Sequence, residues 1–347
     1  MIDWSRGYTA RWRVCHVRPE TWADGDEVHG FVGASVEHTD QGDAPLVDSG
    51  SLEVLLEPGA TFEPGYYRLT MIAEQGGATE RTDIATFWCE RGEGTYDHGA
   101  DTLEMEGRSV LWPASVAIMP RGSYAPMGAD GISWVASRLR EVLCAPVETE
   151  GGFTLSSWMV FDDGCSVLEA VWAVLHAGGC TIRIGGDGTV GVGPMPTVPA
   201  LVLDEARARL IAPSVGHGID WSEVPNNFTA IEGTHVAVAT NDDPGSPTST
   251  VTRGYRHDVL DTNPSRVNGE SLEAYAARRL EEESTVLDVR TYSREWWPGV
   301  LCGDIVRGSI AAVGMDGDLR VTKQSVDCGM GAQVTEEAGK EVVAWRR

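Results

Sequence analysis

The sequence predicts a mainly β protein that carries a small α+β insert. Three observations point there. Short runs alternate between apolar and polar residues, Gly reaches 41 of 347 residues, and stretches of helical period are few. Hydrophobic residues make up 42% of the chain, enough to build a sizeable core and too many for a disordered polymer. The length suits two or three domains.

The first block is all β. In "TARWRVCHV", Ala10, Trp12 and Val14 face one side and Arg11 and Arg13 the other, which describes a half-buried strand. "SLEVLLE" repeats the pattern with Leu52, Val54 and Leu56 set against Ser51, Glu53 and Glu57. "GYYRLTMIAE" and "TDIATFWCE" form a hairpin across the turn-rich "EQGGATER", and "DTLEME" adds a short strand. Composition then changes. "DGISWVASRLREVL" places Ile132, Val135, Leu139 and Val142 at helical spacing. "GCSVLEAVWAVLHAGG" predicts a buried helix, with Ser166 and Glu169 as a capping box and Gly178 at its end. "CTIRIGGDGTVGVGP" reads as two short strands joined by a glycine turn, and "GPMPTVPA" as a linker. From about residue 217 the β pattern returns. "NNFTAIEGTHVAVA" gives a strand pair, and "ESLEAYAARRLEEES" an amphipathic helix with Leu272, Tyr275, Ala276 and Leu280 inward. "VLDVRTY", "DIVRGSI" and "DLRVTKQSV" read as strands. The expected division is a β domain over 1–111, an α+β insert over 112–200, and a second β domain with one helix over 201–347.

Charge narrows the function. Lys+Arg 27 against Asp+Glu 52 gives a net charge of −25, which disfavours a grip on nucleic acid or on an anionic membrane surface. A wall past which a polyanion slides would be equally acidic. No apolar leader opens the chain and no run is long enough to span a bilayer, so synthesis in a cytoplasm is expected. Seven cysteines without a CxxC spacing predict buried free thiols. No metal-ligand spacing, HExxH, GxSxG or phosphate loop is present, and no catalytic or cofactor set is assigned. His29, His38 and His176 read as surface or cap residues. The pairs Asp162–Asp163 and Asp242–Asp243 read as turn formers. The "NFT" at 227–229 matches a glycosylation sequon but matters only in a secreted chain.

"NDDPGSPTST" is the unusual stretch: ten residues, no large apolar side chain, where a hairpin needs 2–5. Asn241, Asp242, Asp243, Pro244, Gly245, Ser246, Pro247, Thr248 and Ser249 are expected to form an assembly arm that leaves its own domain and packs on a neighbouring chain. The prolines restrict the backbone, the aspartates fix the turn, and the small residues allow close approach. A mobile surface loop is the alternative. Trp296 and Trp297 are candidate interface residues, with core packing or a stacking platform for glycans as the other readings.

"VPNNFTAIEG", then "AVATNDDPGSPTSTVTRG", then "ESLEAYAARRLEEES", then "WWPGVLCGDIVRG" resembles, in that order, the baseplate-hub or tail-tip hub family of long-tailed bacteriophages. The first block, with "WRVCHVRPETW", "VHGFVGASVEH" and "GYYRLTMIAE", is similar to that family's first tube-like domain. The resemblance implies two tube-like, β-barrel-type domains flanking the insert. It implies a homotrimer that adapts a sixfold tail tube to threefold tip proteins and lines the DNA ejection channel. The implied partners are a distal tail or tail tube ring, a tape measure protein, and tip or fibre proteins, with no specific nucleic-acid binding and no membrane anchor. The expected location is the virion tail tip, and the end at "EVVAWRR" suggests a hub without further tip activities. The rival readings are a phage cell-wall hydrolase and a glycan-binding module of a tail fibre.

Overall fold

The computed structural model describes residues 2–4, 6–40, 47–56, 63–90, 93–97, 100–204, 215–262, 264, 270–310, 314–329 and 332–345. Strands hold 49% of the chain and helices 15%, so the protein is mainly β, with a small α-containing insert. Two compact units divide it: Met1–Ser214 with Tyr292–Ala338, and Val215–Thr291 with Gly339–Arg347. The composition changes at 111/112 and 200/201 fall elsewhere than this division. In the sequence reading, Glu57 and the last two residues of "EVVAWRR" lie outside the described residues.

The first unit opens with β1 (Thr9–Val17), β2 (Asp24–Val28), β3 (Phe31–Thr39), β4 (Val47–Leu56), β5 (Gly65–Gln75), β6 (Ala78–Cys89), β7 (Glu93–Asp97) and β8 (Ala100–Ser109). Their hydrogen-bonded order runs β3–β4–β8–β6–β5–β1–β2, with β7 also on β8. Every pair is antiparallel, as hairpin connections allow. The loop expected at "EQGGATER" is mostly strand. Gln75 pairs with Ala78, and Gly76 and Gly77 alone make the turn. Both have positive φ, +57° and +83°, the pairing of left-handed residues that matches strand twist in a two-residue hairpin. Val14, Leu52, Leu69, Met71, Phe87 and Met105 fill the core beneath these strands.

The insert holds the two predicted helices and the strand pair in that order, with a further short helix and three short strands that the sequence reading lacks. It comprises α1 (Trp112–Val116), β9 (Tyr124–Ala125), α2 (Gly131–Val142), β10 (Val147–Thr149), β11 (Met159–Val160), α3 (Val167–Ala177), β12 (Cys180–Ile184) and β13 (Val190–Pro194). Asp130 caps α2 by accepting from the Ser133 amide. Ser166 and Glu169 form the reciprocal capping box of α3, and Gly178 is its C-cap. The helices pack Ile132, Val135, Leu139, Val171 and Leu175 into a core that also takes Val17 of β1, Tyr66 of β5 and Trp22 from the connection between β1 and β2. The "GPMPTVPA" linker is shorter than expected, because β13 runs to Pro194 and β14 (Pro199–Asp204) begins five residues on.

The second unit contains β15 (Gly216–Ile219), β16 (Asn227–Glu232), β17 (His235–Thr240), α4 (Thr250–Arg253), β18 (Asp258–Asp261), α5 (Leu272–Glu283) and the start of β19 (Thr285–Glu295). β16 lies between β17, antiparallel, and β18, parallel. Leu272, Tyr275, Ala276 and Leu280 of α5 pack with Phe228, Ala230, Ala237 and Ala239 of the sheet. Arg278–Glu282 and Arg279–Glu283 pairs line the outer side of that helix.

The chain then returns to the first unit with β20 (Ile305–Ile310), β21 (Met315–Asp327) and the start of β22 (Gln333–Val343). β14 runs parallel to β20, β20 antiparallel to β21, and β21 antiparallel to β3. This pairing holds the residues just after 200 in the first unit. β22 is absent from the sequence reading. Its inward positions Val334, Glu336 and Ala338 do alternate, but a glutamate stands in the middle of them.

Candidate functional site

The loop after β17 is compact. Asn241, at its start, anchors both ends: its amide donates to Asn226 O at 2.8 Å, and its carbonyl accepts from Thr250 N at 2.9 Å. Its side-chain amide donates to Ser246 Oγ at 2.9 Å and Thr248 Oγ1 at 3.2 Å. Ser246 Oγ donates onward to Ala344 O at 2.6 Å, and Asn226 Nδ2 donates to Thr248 O at 3.0 Å. Asp243 Oδ1 accepts from Gly245 N, and Ser249 caps α4 by accepting from Thr252 N. Asn241, Ser246, Thr248 and Ser249 are buried, while Asp242, Asp243, Pro244, Gly245 and Pro247 are exposed. Within the single chain the loop expected to be an assembly arm folds back on its own unit. The small polar residues turn inward and satisfy one another, as buried polar groups require. What faces outward is a tip of two aspartates, two prolines and a glycine.

The two candidate tryptophans separate. Trp296 is buried at 7% exposure, edge-on to Trp4 with centroids 5.5 Å apart, and its carbonyl accepts from the Tyr8 hydroxyl at 3.3 Å. It is a core residue and offers no open stacking face. Trp297 beside it is half-buried. Burial, with Glu295 nearby, pushes the Tyr8 hydroxyl up to about 12.

Sequence reasoning missed two buried polar centres in the first unit. Glu336 is fully buried and takes hydrogen bonds from Arg294 Nε at 2.9 Å and Gln324 Nε2 at 2.9 Å. Arg68 donates to Asp24 Oδ1 at 2.7 Å, Trp22 O at 3.2 Å and Asp187 O at 2.9 Å. The last contact explains "GGDG". The glycine turn is the hairpin its pattern predicts, closed by Gly185 N to Thr189 O at 2.9 Å. It is also a plug: Trp22 Nε1 donates to Asp187 O, and Thr86 Oγ1 to Gly186 O. The hairpin was legible from its glycines; its docking was not.

Asp163 pairs with Arg121 at 3.2 Å, and the Asp162 carbonyl accepts from Cys165 N. His29 and His176 are exposed, while His38 is buried. The sequon asparagine, Asn227, is fully buried, donating to Asp258 and accepting from Thr240. All seven cysteines are free; five are buried, Cys165 is half-buried and Cys144 is exposed. Burial pushes the Cys89 thiol up to about 12, which makes it inert. A cleft of about 400 Å³ lies over β10 and β13, lined by Glu148, Glu150, Arg183 and Asp187, among others. Arg183 is tied to the buried Asp304. Among the described residues, no group of three or more His, Cys, Asp or Glu could hold a metal ion, and no helix is long and apolar enough to cross a membrane.

No protein-family profile matches the chain. No curated protein matches it either. Solved structures do. A tail protein from Neisseria meningitidis MC58 superposes with a TM-score of 0.66 at 15% identity, over 96% of this chain and 97% of that one. The 43 kDa tail protein of prophage MuSo2 from Shewanella oneidensis gives 0.60 at 13% identity, over 94% and 97%. A chain of the Francisella PdpA–VgrG complex gives 0.57 at 7% identity, over 96% of this chain and 58% of that one. The hub resemblance carried by the sequence motifs thus has a counterpart in three dimensions: the chain has the fold of phage and prophage tail proteins.

Proposed function

We propose that the chain is a structural subunit of a phage-type tail, acting at the hub where tube meets tip. The observation that carries this reading is the end-to-end match with the Neisseria and Shewanella tail proteins, each covered over 97% of its length. Three copies form a ring in which two tube-like domains per chain present six similar surfaces to the tube above. The partners are the distal tail or tube ring, the tape measure protein, and the tip or fibre proteins, and the place is the virion tail tip. The net charge of −25 suits a channel wall that repels DNA phosphates during ejection. The role is architectural, without catalysis. Averaged images of the particle that contains this chain test the reading. A ring with threefold symmetry at the tube–tip junction is expected. Sixfold symmetry, or a position along the tube, would sink it.

A further inference from the structure

The three-stranded sheet of the second unit ends in an open edge at β17. Its order is β17–β16–β18, so β17 has a strand partner on one side only. Asn241 N donates to Asn226 O at 2.8 Å, which makes these two a hydrogen-bonded pair and sets the alternation along the hairpin. Ala239 and Ala237 therefore bond to Phe228 and Ala230, while Thr240, Val238 and Val236 turn their N–H and C=O groups away from β16. Asn227, opposite Thr240, agrees with this phase: its amide donates to His257 O at 3.2 Å, on the β18 side. Val236 and Val238 are 59% and 53% exposed, so the edge is open to solvent.

Its sequence sets this edge apart. Open edges are ordinarily guarded by charge, proline, a bulge or shortness. β2, at one end of the large sheet, carries Asp24, Asp26 and Glu27. β18, the other edge of this same sheet, has four residues and an aspartate at each end. β17 reads "HVAVAT": six residues without an acid, a lysine, an arginine or a proline, in unbroken register with β16. Folding does not use the valines, since α5 packs on Ala237 and Ala239 of the opposite face.

A row of outward N–H and C=O groups specifies what covers it. They recur about every 7 Å along the strand, a spacing that an extended backbone matches. The same edge of two copies can face each other only across a twofold axis, which a threefold ring lacks. We infer that β17 takes up an extended segment of a different tail protein as a fourth strand. The inference deepens the hub reading, on which it rests, by naming the chemistry of one partner contact. The segment sets β-branched or aromatic residues beside Val236 and Val238 and has no proline among its paired residues. Beyond Thr240 the edge runs into Asp242 and Asp243, both exposed, and among the described residues no cation pairs with either. A Lys or Arg at that end of the segment complements them.

A density map of the particle that contains this chain tests it. A strand of a different protein should lie about 4.8 Å from β17. Amide exchange gives a second readout. The Val236, Val238 and Thr240 amides should exchange at least about tenfold more slowly in the particle than in the free chain, with Ala237 and Ala239 protected in both. Val238→Pro removes one outward N–H and none of the bonds to β16, so the free chain should keep its unfolding midpoint while tail assembly is lost. Val236→Lys with Val238→Lys guards the edge without altering the backbone and should also block assembly, which keeps the test decisive if the proline lowers the midpoint. A map with solvent or side-chain contacts alone along β17 overturns the added strand and leaves a threefold hub standing. Normal assembly of the lysine variant overturns it as well. β17 of a second copy at this edge overturns the strand's assignment to a different protein and the threefold ring together.

Discussion

Glu336 and Arg294 show what one buried pair does for this fold. Burial alone pushes the Glu336 carboxyl up, but the Arg294 charge and the donors around it outweigh that and hold it below the usual range. Glu336→Gln keeps the shape and leaves Arg294 buried without its counterion, which should cost about 3–5 kcal/mol; the double change Arg294→Met with Glu336→Leu should cost far less. Urea midpoints of the two variants against the wild type decide this. The pH dependence follows from the sign. A carboxyl whose folded pKa is depressed contributes stability that is present above its unfolded value of about 4.3 and lost as pH falls through the folded value. Acid unfolding of Glu336→Gln should lack that component, and an acid profile identical to wild type would refute the assignment. Asp304 has the opposite sign: burial raises its carboxyl despite Arg183, so its ionised form costs stability at neutral pH and the cost lifts as pH falls. At Gly186, an added Cβ would sit 1.9 Å from the Asp83 carbonyl oxygen. Gly186→Ala should therefore cost about 1–3 kcal/mol or more by forcing the plug outward, read as a drop in Tm.

At the scale of elements, the loop between β17 and α4 behaves as a built turn. Asn241→Ala removes the two donors that bind Ser246 and Thr248 and strands buried hydroxyls. It should cost about 2 kcal/mol, whereas Pro244→Ala or Asp242→Ala at the exposed tip should change stability by no more than about 0.5 kcal/mol. Equal costs at buried and exposed positions, measured by chemical denaturation, would contradict the turn. A part in assembly, if the loop has one, falls to that tip. Asp242→Ala with Asp243→Ala should leave the fold intact and lower the yield of assembled tails; an unchanged yield would remove the tip from the interface. Helix α3 depends on its first turn. Ser166→Ala breaks the capping box and should cost about 1 kcal/mol.

At the scale of the molecule, charge sets behaviour toward nucleic acid. With a net charge of −25 the chain should show no measurable shift of duplex DNA at physiological salt. Tight, salt-sensitive binding in a gel-shift titration would contradict the channel-wall reading. The same charge disfavours close approach of copies in dilute, low-salt buffer, so a monomer there is compatible with a ring in the particle.

The sequence by itself determined the mainly β class, the insert and its two principal helices. Hydrophobic period and capping chemistry are local, and Ser166, Glu169 and Gly178 lie within one helix of one another. It also determined the glycine hairpin and the inward face of α5, for the same reason. It could not yield β22, because Glu336 interrupts the apolar alternation and its burial is meaningful only beside Arg294, 42 residues away. Nor could it tell that Trp296 is core while Trp158 is open, since both are the same residue type in turn-rich surroundings and only packing from distant chain separates them. The internal bonding of the loop at 241–249 was hidden in a similar way. Its composition reads as solvent-facing, but hydroxyls and amides count as surface only until the fold supplies partners. Asn226 and Ala344, from separate stretches of the chain, supply them here.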